Sequence, residues 1–252
     1  MKHRCLVLAV IATFFALWQV VCDSGFVSPL LLPSPRLIGT WLCTSLGDGS
    51  LEEASLVTLQ RLVSGYLPGL ALGLLFGALA HANRLVSDTL GLAALGLQTL
   101  PSVCWTPLAL LWFGQSEAAM RFVVIMGSVW SILMASRNAL SQVPSLWIKA
   151  ARVMGTGRMR MWTGVLLPAA LPGLVAGARL GWAFAWRSLM AAEIYVTVLD
   201  RMGLGQLLHY GRELMAMDQA MGVMLAIIVL GIVADKALFL PIERYLHRKR
   251  GV

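Results

Sequence analysis

Long apolar stretches separated by short polar segments dominate the chain. Each stretch has about 20 residues, the length that a helix needs to cross the hydrocarbon core of a bilayer. The pattern therefore predicts an all-α fold, a polytopic membrane helix bundle with about six transmembrane helices. The predicted spans are Cys5–Cys22, Arg61–Ala80, Thr89–Phe113, Ala118–Ser136, Pro168–Ala192 and Ala220–Leu240.

The first stretch, Cys5–Cys22, also resembles the apolar region of a secretory signal peptide. Val20-Val21-Cys22 is a poor small-residue cleavage site, and more spans follow. We therefore expect a retained first helix. The prediction is one transmembrane domain over residues 1–252, with a core unit at about 56–240 and a first helix at 5–22.

The positions of glycines and prolines predict a close-packing face in one span and a bend in another. Glycine recurs at every fourth position from Gly65 to Gly77, which places a glycine ridge on one face of the second span. Such a ridge allows two helix backbones to approach closely in a membrane. Pro101 and Pro107 lie inside the third span and are expected to bend it.

The polar connections predict some local structure. Leu37–Ser45 could form a short helix in the membrane interface, and Gly203-Leu204-Gly205 is expected to turn the chain. Cys22 and Cys43 would lie on the same side of the membrane. They could form a disulfide in an oxidising compartment, although two free thiols is the favoured interpretation.

The charged residues orient the bundle. Only 13% of residues are charged, against about a quarter in soluble domains. With the N-terminus in the cytoplasm, twelve basic residues fall inside and five outside, as the positive-inside rule requires. We expect both termini to be cytoplasmic. The formal charge of +8 then reflects orientation in a lipid bilayer rather than nucleic acid binding, since no basic face coincides with stacking aromatics.

Other chemistry has little support in the sequence. The four cysteines show no CxxC pairing and the four histidines are scattered, so no metal site is predicted. The chain has no GxxxxGK[ST] phosphate loop, and clustered catalytic signatures are absent.

The most informative polar segment is Lys149–Pro168, which holds four basic residues and no acid. The positive-inside rule alone could account for its charge. A helix over Ser145–Met154, ended by a left-handed Gly155, is predicted to precede a second helix capped by Thr156. A helix of about ten residues is marginal alone in water, so we expect it to pack on a membrane surface or a protein.

The spacing in this segment is specific. Ala150-Ala151, Gly155 and Val165-x-Leu167-Pro168 resemble the cytoplasmic loop of permease subunits of type I ATP-binding-cassette (ABC) importers. That loop has the pattern Glu-Ala-Ala, three residues, Gly, nine residues, then an aliphatic residue, any residue, Leu and Pro. The match departs from the pattern at one place, because Lys149 stands where the family has Glu.

Three further stretches resemble the nitrate/sulfonate/taurine-type branch of these permeases, so the similarity covers nearly the whole chain. They are Leu31-Leu32-Pro33-Ser34-Pro35, the segment from Pro101 through Pro107-Leu108 to Trp112-Phe113-Gly114, and the pair Ala191-Ala192-Glu193 and Gly203-Leu204-Gly205.

The resemblance implies a permease in the bacterial inner membrane that forms the solute pathway for a small anion or zwitterion, such as an aliphatic sulfonate, nitrate or taurine. Bicarbonate and a thiamine-precursor pyrimidine are alternatives. It implies two ABC ATPase subunits that bind ATP and Mg²⁺, a periplasmic or extracellular substrate-binding protein, and a second permease copy, as a homodimer. The chain itself would be non-catalytic and would need no cofactor. An ATP-independent channel and a membrane-embedded enzyme are the alternatives of another class.

The same resemblance makes Lys149–Pro168 a coupling loop that seats in a cleft of the ATPase. The residues expected to form this contact are Lys149, Ala150, Ala151, Arg152, Met154, Gly155, Thr156, Arg158 and Pro168. A lysine in place of glutamate reverses one charge at that interface.

Charged residues inside the spans suggest a translocation pathway, because a charge within a membrane is costly and usually has a function. Arg179, Trp182, Trp186 and Glu193 follow helical spacing and share one face of the fifth span. Arg179 could instead bond to backbone carbonyls freed by Pro101 or Pro107. Gln98, Ser102 and Trp105 on the bent third span are further candidates for the pathway. Residues near the membrane ends are expected to have local roles, with Arg187 as a snorkelling side chain and Asp235 with Lys236 as a local ion pair.

Overall fold

A computed structural model describes residues 2–25, 28, 30–198 and 201–250, and in this part of the chain all regular structure is helical. The helices are α1 (Lys2–Asp23), α2 (Pro35–Gly47), α3 (Ser50–Ala82), α4 (Arg84–Thr99), α5 (Thr106–Phe113), α6 (Glu117–Ser141), α7 (Ser145–Val153), α8 (Arg158–Met161), α9 (Leu167–Tyr195), α10 (Leu204–Glu213) and α11 (Met217–Arg250). A 3₁₀ turn at Ser102–Trp105 precedes α5, and a π-helical turn at Trp162–Leu166 precedes α9.

The chain divides into two compact units. The first consists of Met1–Thr58 and Leu199–Leu230, and the second of Leu59–Val198 and Gly231–Val252. The predicted single transmembrane domain stays a prediction.

The predicted membrane bundle is confirmed. Among the described residues, four helical stretches are long and apolar enough to cross a bilayer: Ser50–Ala82, Glu117–Ser141, Arg158–Tyr195 and Met217–Leu246. The pair α4 and Ser102–Phe113, which bends by 103° at its break, passes the same test when its two parts are taken together, so the described residues hold four such spans, or up to five if this pair is one span. The predicted first span forms helix α1.

Several helices are longer than the apolar stretches that predicted them. Helix α3 begins at Ser50 rather than Arg61, and Glu52 and Glu53 lie in its first turn, where acids favour the helix dipole. Helix α11 continues through the basic tail to Arg250. Hydropathy marks the part of a helix that suits lipid, and a helix with polar ends extends beyond it.

The bend in the third predicted span lies at Pro101. Leu100 has ψ 121°, the extended conformation to which a following proline confines a residue, and this ends α4. Pro107 occupies the first turn of α5, where its missing N–H removes no helical hydrogen bond. One of the two prolines therefore makes the break that both were expected to make.

Within the second unit, α6 is held between two glycine ridges. A methyl group at Gly73 of α3 would come within 2.6 Å of Ile132 Cβ, so only glycine permits the contact. On the other side of α6, a methyl group at Gly177 of α9 would come within 2.6 Å of Ala135 Cβ. The predicted close approach at the α3 ridge is confirmed, and α6 carries much of the core, with Met120 and Ile132 fully buried.

Within the first unit, α10 replaces a predicted turn. The expectation of a turn at Gly203-Leu204-Gly205 is wrong, because Gly203 is the N-cap of a helix that starts at Leu204. The Gly203 N–H donates to Gln206 Oε1 at 3.0 Å, and the Leu204 N–H donates to Thr58 Oγ1 at 2.8 Å. These side chains satisfy the helix N-terminus, and Leu204 is buried against Leu51.

The predicted short helix after the first span is confirmed as α2. Its N-cap Ser34 accepts a hydrogen bond from the Leu37 N–H, and Pro35 opens the helix. Cys22 and Cys43 are free thiols, as favoured, and Cys22 Sγ lies 3.6 Å from the Leu32 carbonyl oxygen.

Candidate functional site

The loop Lys149–Pro168 begins on helix α7 and turns at Gly155. Gly155 has φ +74°, the left-handed conformation predicted for it. The Gly155 N–H donates to the Arg152 carbonyl and the Thr156 N–H to the Ala151 carbonyl, each at 3.0 Å. This pair of bonds is the Schellman arrangement, which ends α7 sharply and satisfies its last carbonyls.

The second half of the loop differs from the prediction. Thr156 does not cap the next helix, because the N-cap of α8 is Gly157 and it makes no side-chain capping bond. The chain continues from α8 through a π-helical turn into α9, with Pro168 in the first turn of α9. Pro168 has no N–H to give to the carbonyl four residues earlier, and the wider π turn accommodates the missing bond.

Most of the predicted contact residues lie on the loop surface. Ala151 is the exception, at 3% exposure, and belongs to a buried apolar cluster that also contains Leu140 and Leu166. Thr156 is half-buried, and the exposed members are Lys149, Ala150, Arg152, Met154, Gly155, Arg158 and Pro168. Val153 and Met154 are 90% and 76% exposed, so the end of α7 presents bare apolar side chains beside basic ones.

An open groove of about 930 Å³ adjoins this loop. Its walls are mainly apolar and come from the loop, the start of α9 and the end of α11, with Trp147, Met154, Val165, Pro168, Pro172, Glu243 and Leu246 among them. The acidic member is Glu243, so a carboxylate lies at the edge of an otherwise apolar surface.

Arg179 forms a cluster with two carboxylates, here called the Arg179 cluster. It donates to Asp235 through Nη2 at 2.6 Å and Nε at 3.1 Å, and to Glu243 through Nη1 at 2.8 Å. The alternative that Arg179 bonds to carbonyls freed by Pro101 or Pro107 is therefore wrong. Asp235 pairs with Arg179 rather than with the adjacent Lys236, so the expected local ion pair is also wrong.

Glu193 belongs to a second cluster, here called the Arg61 cluster. Arg61 donates to Glu193 at 3.1 Å and to Glu117 at 2.7 Å, and so links α3, α9 and α6. The Arg61 and Glu193 side chains are 4% and 0% exposed. Glu193 was predicted to line a pathway, and the structure places it in this buried ion pair.

The two tryptophans on the same face of α9 also lie in the protein interior. Trp182 is 5% exposed and makes edge-on contacts with the rings of Tyr66 and Phe239. Trp186 is half-buried against Gly231 of α11. The predicted face of α9 is thus brought together, but within one chain it packs on α3 and α11.

The three candidates on the bent span meet in a separate cavity. Gln98, Ser102 and Trp105 line a space of about 260 Å³ at the break between α4 and α5. Arg187 of α9 lines the same space. Its Nε donates to the Ala183 carbonyl at 3.1 Å and its guanidinium lies 4.5 Å from the centre of the Phe184 ring.

Sequence reasoning did not identify Arg61, Glu117 and Glu243 as partners of the α9 charges. Glu243 follows Asp235 by eight residues, and such a spacing places both on one helix face. That spacing could have paired the two acids. Arg61 and Glu117 stand at the ends of apolar stretches, where a charge is ordinary, so only the packing of α3 against α6 reveals them.

Comparison with known proteins finds membrane subunits of transport systems. The family model described as "Binding-protein-dependent transport system inner membrane component" matches residues 69–247. A putative ABC transporter permease protein of Methanocaldococcus jannaschii is 31% identical over 204 residues, which is 81% of this chain and 74% of that protein.

Another relative is the putative aliphatic sulfonates transport permease protein SsuC of Bacillus subtilis. It is 28% identical over 240 residues, 95% of this chain and 86% of that protein. Further relatives are named as bicarbonate and nitrate permeases. Among solved structures, inward-facing MetNI methionine ABC transporter is similar with a TM-score of 0.62 and 23% identity, covering 82% of this chain and 96% of that chain, which supports the same fold.

Proposed function

Because the chain belongs to the family of binding-protein-dependent transport system inner membrane components, we propose that it forms the solute pathway of an ABC importer with a second copy of itself. In this proposal two separate ATPase subunits dock on the loop Lys149–Pro168. A substrate-binding protein delivers solute from the opposite side of the membrane. ATP binding draws the two loops together, and the helices alternate between outward and inward access.

The end of helix α7 carries the docking proposal. Val153 and Met154 are 90% and 76% exposed there, close to basic side chains and next to the left-handed turn at Gly155. A soluble partner would bury these apolar groups, and its acids would complement the basic residues. Lys149 is exposed on the same helix, so we expect an acid on the ATPase opposite it.

The catalytic step is assigned to the partner. ATP and Mg²⁺ would be bound by the ATPase subunits, while this chain would serve as a non-catalytic subunit without a cofactor. The basic residues of the loop put it in the cytoplasm under the positive-inside rule, and with it both termini. Family membership in turn favours an ATP-driven importer over a channel or a membrane-embedded enzyme.

A small anion or zwitterion is the proposed solute. Relatives named for aliphatic sulfonates, bicarbonate and nitrate support this class, since all three solutes are small oxyanions. An aliphatic sulfonate, nitrate or taurine is favoured, and bicarbonate or a thiamine-precursor pyrimidine is the alternative.

The docking proposal is tested by Gly155→Val in the permease reconstituted with its ATPase and binding protein. A β-branched residue at φ +74° costs about 1–3 kcal/mol and would distort the turn that presents Met154. We expect ATP hydrolysis to continue while solute uptake per ATP falls severalfold. Both rates are measured in the same proteoliposomes.

Gly157→Val is the matched control. A side chain at either glycine meets no atom within 4 Å, but Gly157 has φ −69°, which valine adopts easily. The control should therefore transport normally. Normal coupling in Gly155→Val, or failure of the wild-type permease to co-purify with the ATPase, would contradict the docking role of the loop.

A further inference from the structure

The cavity at the break of the third span lies beside a bend in the chain and a close contact between α6 and α9. Pro101 ends α4 and turns the chain by 103°, which leaves a space beside the 3₁₀ turn at Ser102–Trp105. Gly127 of α6 lies in the wall, where a side chain would collide with Ser188 of α9. The space of about 260 Å³ is large enough for a small organic ion.

The polar groups around this space are mainly hydrogen-bond donors. None of the described residues that line it is acidic. Gln98 and Ser102 have no protein hydrogen-bond partner for their side chains within the described part of the chain. The indole Nε1 of Trp130, another wall residue, is likewise buried with no partner there.

Arg187 supplies the charge. Its Nε is used by the Ala183 carbonyl, but the described residues provide no carboxylate and no acceptor for its two Nη groups. Arg179, two turns earlier on α9, is held by two carboxylates. The Arg187 side chain is exposed, so its Nη groups are accessible, and an anion beside it would give them charged acceptors.

We propose that this cavity binds the oxyanion group of the transported solute. The Nη groups of Arg187 would hold a sulfonate, carboxylate or similar planar or tetrahedral oxyanion, and Gln98 and Ser102 would donate hydrogen bonds to it. The Trp105 ring would cover the short apolar part of the solute. This inference rests on the proposed transport function, and it assigns to Arg187 a binding role in place of simple snorkelling.

The first test is binding to the purified permease in nanodiscs made only of phosphatidylcholine, without ATPase. The probes are ethanesulfonate, taurine, nitrate and bicarbonate, and binding is followed by tryptophan fluorescence. At least one probe should give a saturable response, and Arg187→Gln should weaken its apparent affinity at least about tenfold. Arg187→Lys, which keeps the charge but loses the planar fork, should retain part of it.

Arg121→Gln is the matched control, because it removes one exposed arginine outside the cavity and should leave the affinity unchanged. The inference is overturned if no probe gives a response, or if Arg187→Gln binds as tightly as the wild type. Nanodiscs with added phosphatidylglycerol distinguish binding of an anionic lipid head group from binding of an added probe. A response that requires Arg187 and follows the phosphatidylglycerol content, but no added probe, assigns the cavity to a lipid head group and also overturns the inference.

Uptake by the full importer separates this inference from the proposed function. ATP-dependent uptake that is unaffected by Arg187→Gln would overturn the site while leaving the importer intact. Probe binding that requires Arg187, without any ATP-dependent uptake by the wild type, would support the site and contradict the importer.

Discussion

The Arg61 cluster and the Arg179 cluster have the same composition but differ in the burial of the arginine and of one acid. Each holds one arginine and two carboxylates, and each uses one residue of α9. The Arg61 and Glu193 side chains are 4% and 0% exposed and Glu117 is 39% exposed. Arg179 and its two acids are 40%, 26% and 32% exposed, so only the Arg61 cluster contains a fully buried pair. Burial, rather than the number of ion pairs, distinguishes them.

This difference has an energetic consequence. Removing one partner of a buried ion pair leaves an uncompensated charge and costs about 3–5 kcal/mol, whereas exposed pairs contribute about 0–1 kcal/mol. The Arg61 cluster should therefore fix α3, α6 and α9 together permanently. The Arg179 cluster, which joins α9 to α11, should therefore break at lower cost.

The largest effect is expected for Arg61→Ala. It leaves Glu193 buried and without its cation, so the free energy of unfolding should fall by about 3–5 kcal/mol. The measurement is thermal unfolding of the purified permease in detergent, followed by circular dichroism. Arg212→Ala is the control, because Arg212 pairs with Glu213 at 68% exposure and its loss should cost about 0–1 kcal/mol. Equal melting temperatures for the two variants would remove the distinction between the clusters.

Much of the fold could be predicted because a bilayer restricts a chain to a few solutions. Apolar length gave the helices, and glycine spacing gave the face of α3 that meets α6. The ends of the helices could not be read in the same way. Helix α10 was missed because its start depends on Gln206 and on Thr58, a residue 146 positions away in the sequence.

In the candidate site, too, features set by neighbouring residues could be predicted and contacts between distant residues could not. Gly155 was predicted from neighbouring residues alone, and its left-handed conformation is confirmed. The partners of Arg179 lie 56 and 64 positions away, and those of Arg61 lie 56 and 132 positions away. Such ion pairs form only between helices that pack against each other. The local pattern of a single sequence does not show which helices become neighbours.

An intermediate effect is expected for Arg179→Ala, and it should appear in transport rather than in stability. Because the side chains of the cluster are 26–40% exposed, its loss should lower the free energy of unfolding by no more than about 1 kcal/mol. Uptake of an anionic solute should fall more than the amount of assembled complex, since the freed acids Asp235 and Glu243 would then repel it. Proteoliposome uptake is compared with ATPase co-purification. Unchanged uptake would make Arg179 a structural residue only.

The smallest effect is expected for Asp235→Asn, and its dependence on salt distinguishes the two clusters. Asp235→Asn weakens the pair that has two hydrogen bonds to Arg179, so it should lower the melting temperature slightly. Raising the ionic strength from about 0.1 M to 1 M shortens the Debye length from about 10 Å to 3 Å, and this screens exposed charges far more than buried ones. The difference between Asp235→Asn and the wild type should therefore shrink at high salt, while the difference produced by Arg61→Ala should not. If both differences shrank equally, water and ions would reach the Arg61 cluster as easily as the Arg179 cluster, and the former could not act as a permanent link between its three helices.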